Sequence, residues 1–149
     1  MKRVLAAVLI TALASIATTT ATAQPDVPAK VTLKTFTGQW TGHTRQLKIF
    51  SNGTARESVD DGCCTHVYTV RYKLSNPRGT KKRPVITATI TSAEVPDPSL
   101  FSKTFPEPKV GQKTQFTIKY TDAADILTTK ARKATYCRNG NGTASPCGA

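Results

Sequence analysis

Apolar and polar residues alternate along much of this chain. Residues 65–74 show it best: His66, Tyr68, Val70, Tyr72 and Leu74 share one face, and Thr65, Thr69, Arg71 and Lys73 the other, with Val67 the apolar exception. Ile86, Ala88 and Ile90 repeat the period, as do Phe116, Ile118 and Tyr120. Successive strand side chains point to opposite faces, so a period of two predicts an antiparallel sheet buried on one side. The nearest approach to a helical period is residues 123–127, a single turn that Asp122 would cap.

Turn signals separate the runs. Asn52-Gly53 marks a hairpin. Asn76-Pro77-Arg78-Gly79 opens what reads as a basic loop ending at Pro84, and Pro96, Pro98, Pro106 and Pro108 bracket a longer one. Gly140, Gly142, Pro146 and Gly148 predict an irregular tail. About seven or eight short strands fit this spacing, which predicts an all-β fold: a single antiparallel β-barrel, or a β-sandwich as the alternative.

The hairpin fixes a register if residues 51–53 form a three-residue loop with Gly53 left-handed. Ile49 then faces Ala55, Leu47 faces Glu57, and Arg45 faces Val59. His43, Arg45, Leu47 and Ile49 share a mostly apolar face with Ala55, Glu57 and Val59. Arg45 and Glu57 become diagonal neighbours. A desolvated charge there has to be paired and hydrogen-bonded. The pair either fixes register or anchors a ligand.

Composition changes the picture in two ways. The chain has 149 residues, length for about one domain. It carries 21 Lys and Arg against 9 Asp and Glu, a formal charge of +12. The first 23 residues read as a secretory signal: Lys2 and Arg3, an apolar run over residues 4–16, then Ala21-Thr22-Ala23 as the cleavage site. We therefore expect a secreted, extracellular, monomeric domain over residues 24–149. Without Lys2 and Arg3 the 21 bases become 19, against the same 9 acids, leaving +10. No later stretch is long and apolar enough for a transmembrane helix.

Four cysteines, Cys63, Cys64, Cys137 and Cys147, read as two disulfides in an exported chain. Adjacent Cys63 and Cys64 point to opposite faces of a strand. We therefore expect each to tie to the C-terminal pair, the alternative being Cys63–Cys64 with Cys137–Cys147. Two histidines do not make a multi-His metal site, and no cofactor is expected. His66 reads as a core or edge histidine. No Gly-x-Ser-x-Gly elbow accompanies the available Ser, His and Asp.

The leading expectation is a non-enzymatic binding module for an apolar or amphipathic ligand. Trp40, Tyr68, Tyr72, Phe116 and Tyr120 would line it, and His43, Arg45, Glu57 and His66 would supply polar groups. The second is a cationic protein that holds anionic envelope polymers on Arg78, Lys81, Lys82 and Arg83. Few aromatics interleave with these cations, so nucleic-acid stacking is not indicated. A small secreted enzyme and a protease inhibitor are further alternatives.

Two resemblances add to this. The run Gly38-Gln39-Trp40-Thr41-Gly42-His43-Thr44-Arg45, with Asp61-Gly62-Cys63-Cys64, Tyr136-Cys137 and Cys147-Gly148, resembles a family of small exported proteins of high-GC Gram-positive bacteria. That resemblance implies export and a single domain, and carries no activity. Gly38-Gln39-Trp40 also resembles the Gly-x-Trp that opens the first strand of lipocalins. It implies a Trp plugging the barrel base under a late-strand Arg, with Arg132 as the candidate.

Overall fold

The computed structural model describes residues 30–62, 65–102, 105–131, 133–138 and Cys147. The expected signal, together with Cys63, Cys64 and Arg132, lies outside these residues. Eight strands form a closed antiparallel barrel in which each pairs with its neighbours in sequence. They are β1 (Gly38–Gly42), β2 (Arg45–Ile49), β3 (Thr54–Asp60), β4 (His66–Thr80), β5 (Arg83–Glu94), β6 (Lys113–Tyr120), β7 (Asp125–Thr129) and β8 (Thr135–Arg138). The ring closes where Trp40 and Thr41 of β1 meet Arg138 and Cys137 of β8. Of the two expected architectures, the barrel is the one observed.

The β2–β3 register is the one the three-residue loop predicts: Ile49 faces Ala55, Leu47 faces Glu57 and Arg45 faces Val59. Gly53 sits at φ 84, where an L side chain is disfavoured. Gly42 matters for space: a Cβ there would lie 2.3 Å from the Thr135 carbonyl oxygen, so only glycine admits β8 this close.

Inward positions build one core. Trp40, Leu47, Ile49, Tyr68, Val70, Ile86, Phe116, Ile118, Leu127 and Tyr136 are all buried. One end of the barrel is shut by a 3₁₀ turn, Leu33–Thr35, and the buried Phe36 behind it. Trp40 Nε1 donates to the Phe36 carbonyl at 2.9 Å. The arginine over the Trp40 ring is Arg138, 4.4 Å from its centroid. Its Nη2 donates to Thr35 O at 2.5 Å, and its Nε lies 3.2 Å from Asp125 Oδ2. Arg138 thus takes the part expected of Arg132. The other end lies under the loop 95–112. Its Phe101 and Phe105 rings stack 5.4 Å apart and pack on Tyr68 at 6.1 and 6.4 Å.

Three expectations need correction. The basic segment 76–84 is not a loop, because β4 and β5 run on as a hairpin arm turning at Lys81-Lys82. The ladder shifts between Ser75 and Arg78, so Pro77 falls where no ladder donor is required. Residues 123–127 make no helical turn. Thr121 Oγ1 ties both the N–H and the C=O of Ala124 into a tight turn, and β7 starts at Asp125. Cys137 pairs with Cys147, Cα atoms 5.7 Å apart, so neither bonds to Cys63 or Cys64. With ten positions separating them, the chain returns locally to Cys137 in β8 rather than bridging to the β3–β4 connection.

Candidate functional site

Glu57 lies midway along β3 and points into the bore, only 2% exposed. Opposite it on β4 stands Val70, flanked on the same face by Tyr68 and Tyr72. These are the diagonal positions from which long side chains reach a cross-strand residue. Tyr136 arrives from β8, across the barrel. Tyr68 Oη donates to Glu57 Oε1 at 3.3 Å, Tyr136 Oη donates to the same oxygen at 2.5 Å, and Tyr72 Oη donates to Oε2. One carboxyl group thus gathers three phenols in a mostly apolar interior. A buried polar group is tolerated only when bonded in this way.

The arrangement titrates asymmetrically. Burial pushes the Tyr136 phenol well above its ordinary value near 10.0; the Glu57 charge and hydrogen bond add to this, Arg45 opposes it, and Tyr68 adds a little. Folded Tyr136 therefore keeps its proton where the unfolded chain loses it. Stability is full below pH about 10 and falls above it, by up to about 1.4 kcal/mol per pH unit for this phenol. Urea unfolding from pH 8 to 11.5 is expected to show that decline, and Tyr136→Phe to flatten it. Equal slopes in both proteins would contradict the assignment.

The other predicted residues scatter. His43 is exposed in the two-residue turn between β1 and β2, outside the bore. Arg45 is half-buried at the rim, and its Nε donates to the His43 carbonyl at 3.4 Å. The ion pairs among the described residues are His66–Asp60 and Arg138–Asp125, so the expected Arg45–Glu57 pair is absent and the phenols take its place. Trp40 seals the base rather than lining a cavity. Tyr120 is 40% exposed at the closed end, while Phe116 packs edge-on to Tyr72 inside, 5.4 Å between ring centres. Beside Tyr72, a recess of about 10 Å³ is bounded by Ile90, Gln112, Thr114, Thr129 and Ala131, room for about one water.

His66 bridges two groups: Nδ1 lies 3.0 Å from Asp60 Oδ1, and Nε2 lies 2.9 Å from Thr69 Oγ1. The order hydroxyl, imidazole, carboxylate is that of a nucleophilic relay. Thr69, however, is 7% exposed, and the three residues straddle the irregular β3–β4 pairing at Val59/Asp60. Either protonation state of the ring satisfies both neighbours, because the threonine hydroxyl both donates and accepts. The group works as a strap between strand ends.

The predicted cations divide as well. Lys81, Lys82 and Arg83 are exposed at the tip of the hairpin arm. Arg78 is engaged: its Nη1 donates to Thr87 Oγ1 and to the Asn76 carbonyl, each at 3.2 Å. Lys81 also reaches the closed end, where it bounds a groove of about 460 Å³ with Lys30, Val31, Thr35 and Tyr120.

Sequence reasoning missed Tyr136 and Arg138, although both lie in a four-residue strand whose Tyr-Cys pair stood out. Among the described residues no cluster of three or more His, Cys, Asp or Glu could hold a metal ion, and no helix is long and apolar enough to cross a membrane. Comparison with protein-family models, with curated proteins and with solved structures finds no match.

Proposed function

We propose that the protein is an exported binding barrel whose ligands are anionic polymers held on its outer surface. One observation carries this reading: cations occur all over the described surface, whereas the flanks of the barrel between its two ends bear no acid. Among the described acids, Glu57 is buried. Asp60, Asp61, Glu94, Asp97 and Glu107 lie at the end covered by loop 95–112, and Asp122 and Asp125 at the closed end. Between the ends, the exposed faces of β2 to β6 present Lys48, Arg56, Arg71, Lys73 and Lys113. The exposed Lys81, Lys82 and Arg83 extend this surface. A surface of one sign raises the local concentration of the opposite sign. The Cys137–Cys147 disulfide is compatible with export.

The test is retention on immobilised polyanions. The protein is expected to bind heparin and polyphosphate at about 0.15 M salt, with log affinity falling linearly in log salt concentration. Absent retention, or retention indifferent to salt, would count against the reading.

A second reading keeps an apolar or amphipathic ligand in the interior. The polar centre at Glu57, next to the recess at Tyr72, favours it. A ligand larger than water has to displace Phe101 and Phe105 from Tyr68. A native mass spectrum of protein from its own culture supernatant checks it: extra mass lost on denaturation supports an interior ligand, and a bare polypeptide speaks against one.

A further inference from the structure

We infer that a row of cations crossing β2, β3 and β4 is the track on which a linear phosphodiester polymer of the polyol type lies. The inference rests on the anionic-polymer reading above and names its site and ligand. The strand register supplies the row. Lys48 stands directly opposite Arg56, and Arg56 directly opposite Arg71. Gln39 continues it on one side and Ser92 on the other. All three cations are exposed. Neither of the two ion pairs among the described residues involves them.

Like charges placed opposite each other on paired strands destabilise the sheet. Here the effect occurs twice in succession, and the acids on the same side of the sheet, Asp60 and Glu94, stand at the strand ends rather than beside the row, Asp60 being engaged by His66. Counter-charges from outside relieve it. Neighbouring strands are about 4.8 Å apart, so the three cations span roughly 10 Å along a line perpendicular to the strands. A flexible chain with repeated single negative charges can follow that line. Phosphate suits it because each arginine fork offers paired donors to two oxygens of one group.

The surroundings select among polymers. A groove of about 470 Å³ runs beside the row, bounded by Gln39, Gln46, Lys48, Phe50, Arg56 and Ser58. Amides and hydroxyls there match the hydroxyls of a polyol backbone. The Lys48 ammonium lies 5.5 Å over the Phe50 ring, so that aromatic face is already engaged by a cation. Single-stranded nucleic acid calls for a series of open stacking faces, which this side of the barrel does not offer.

The experiment measures binding of a defined poly(glycerol phosphate) to the full folded protein over a range of salt concentrations. Two variants remove the same charge: Lys48→Gln/Arg56→Gln/Arg71→Gln, and Lys81→Gln/Lys82→Gln/Arg83→Gln. The first is expected to lose at least tenfold in affinity and to lower the salt slope by about 2, since each phosphate contact on a single chain contributes roughly 0.7. Its melting temperature is expected to hold or rise, because a like-charge row has been removed. The second is expected to lose less. Equal losses in both variants would overturn the track while leaving the anionic-polymer reading intact. No binding by the unmodified protein would overturn both. Tighter binding of oligo(dT) than of the glycerol polymer would overturn the choice of ligand.

Discussion

Glu57→Leu is expected to be among the most damaging single substitutions in this protein. It removes the acceptor shared by Tyr68, Tyr72 and Tyr136 without changing the backbone pattern. A buried hydroxyl deprived of its acceptor costs about 1–3 kcal/mol. Three such losses give at least about 3 kcal/mol, a large share of the 5–15 kcal/mol typical of a domain. Urea denaturation should show a lower midpoint with an unchanged slope. The decisive comparison adds Tyr136→Phe. In the native background that change is expected to destabilise by about 1.5–3 kcal/mol, since the acceptor is a carboxyl group. In the Glu57→Leu background it should be neutral or favourable, because an apolar ring then replaces an unmatched hydroxyl. Additive effects would mean that the hydrogen bonds contribute little and that Glu57 matters only by its size.

Trp40→Ala is expected to act as strongly from the closed end of the barrel. The indole is fully buried, its N–H bonds the Phe36 carbonyl, and its face carries the Arg138 guanidinium. Truncating a buried Trp typically costs about 3–5 kcal/mol through lost transfer energy and the cavity left behind. Phe36 also loses its donor, and Arg138 its aromatic support. A fall in melting temperature of about 12–20 °C should follow for a domain of this size. Trp40→Phe keeps the ring face and forfeits the hydrogen bond, so its fall should be clearly smaller. If the two variants melt together, the hydrogen bond and not the volume holds the base.

What the sequence disclosed followed from distance along the chain. The β2–β3 register was legible because a three-residue loop with a left-handed Gly53 leaves little freedom between Ile49 and Ala55. The inward set on β4 was legible because Tyr68, Val70, Tyr72 and Leu74 keep strict alternation. The partners of Glu57 were not. Reading Tyr68 and Tyr72 against it requires the β3–β4 register, and the Asp61-Gly62 turn signal there sits in a five-residue connection, residues 61–65, whose length fixes no single pairing. Tyr136 stands 79 positions away and meets Glu57 only because the sheet closes into a ring. Arg45, adjacent on the neighbouring strand, was the local guess, and it turned out to serve a turn carbonyl.

Other misreadings have local causes. Asn76-Pro77-Arg78-Gly79 carries turn residues, yet the ladder absorbs them as an irregularity: Asn76 adopts φ 53 and Gly79 φ 92 while the strands continue past them. The stretch after Asp122 suggested a helical turn, but Ile126 and Leu127 are claimed by ladders on both sides. In both places tertiary pairing overrode a short local preference.

The meeting of β1 and β8 bears on how the molecule comes into being. Among the described residues two pairs zip that junction, and the Arg138 side chain fastens it by reaching Thr35, 103 positions earlier. A chain emerging from its N-terminus can assemble consecutive hairpins as it appears, but the ring stays open until the last strand is delivered. Until then β1 offers an unpaired edge, and Trp40 lacks the cation that covers it. Contacts this distant slow folding into the millisecond-to-second range typical of all-β topologies. A newly made chain of this kind remains threadable for most of its synthesis and becomes a rigid body only at the end.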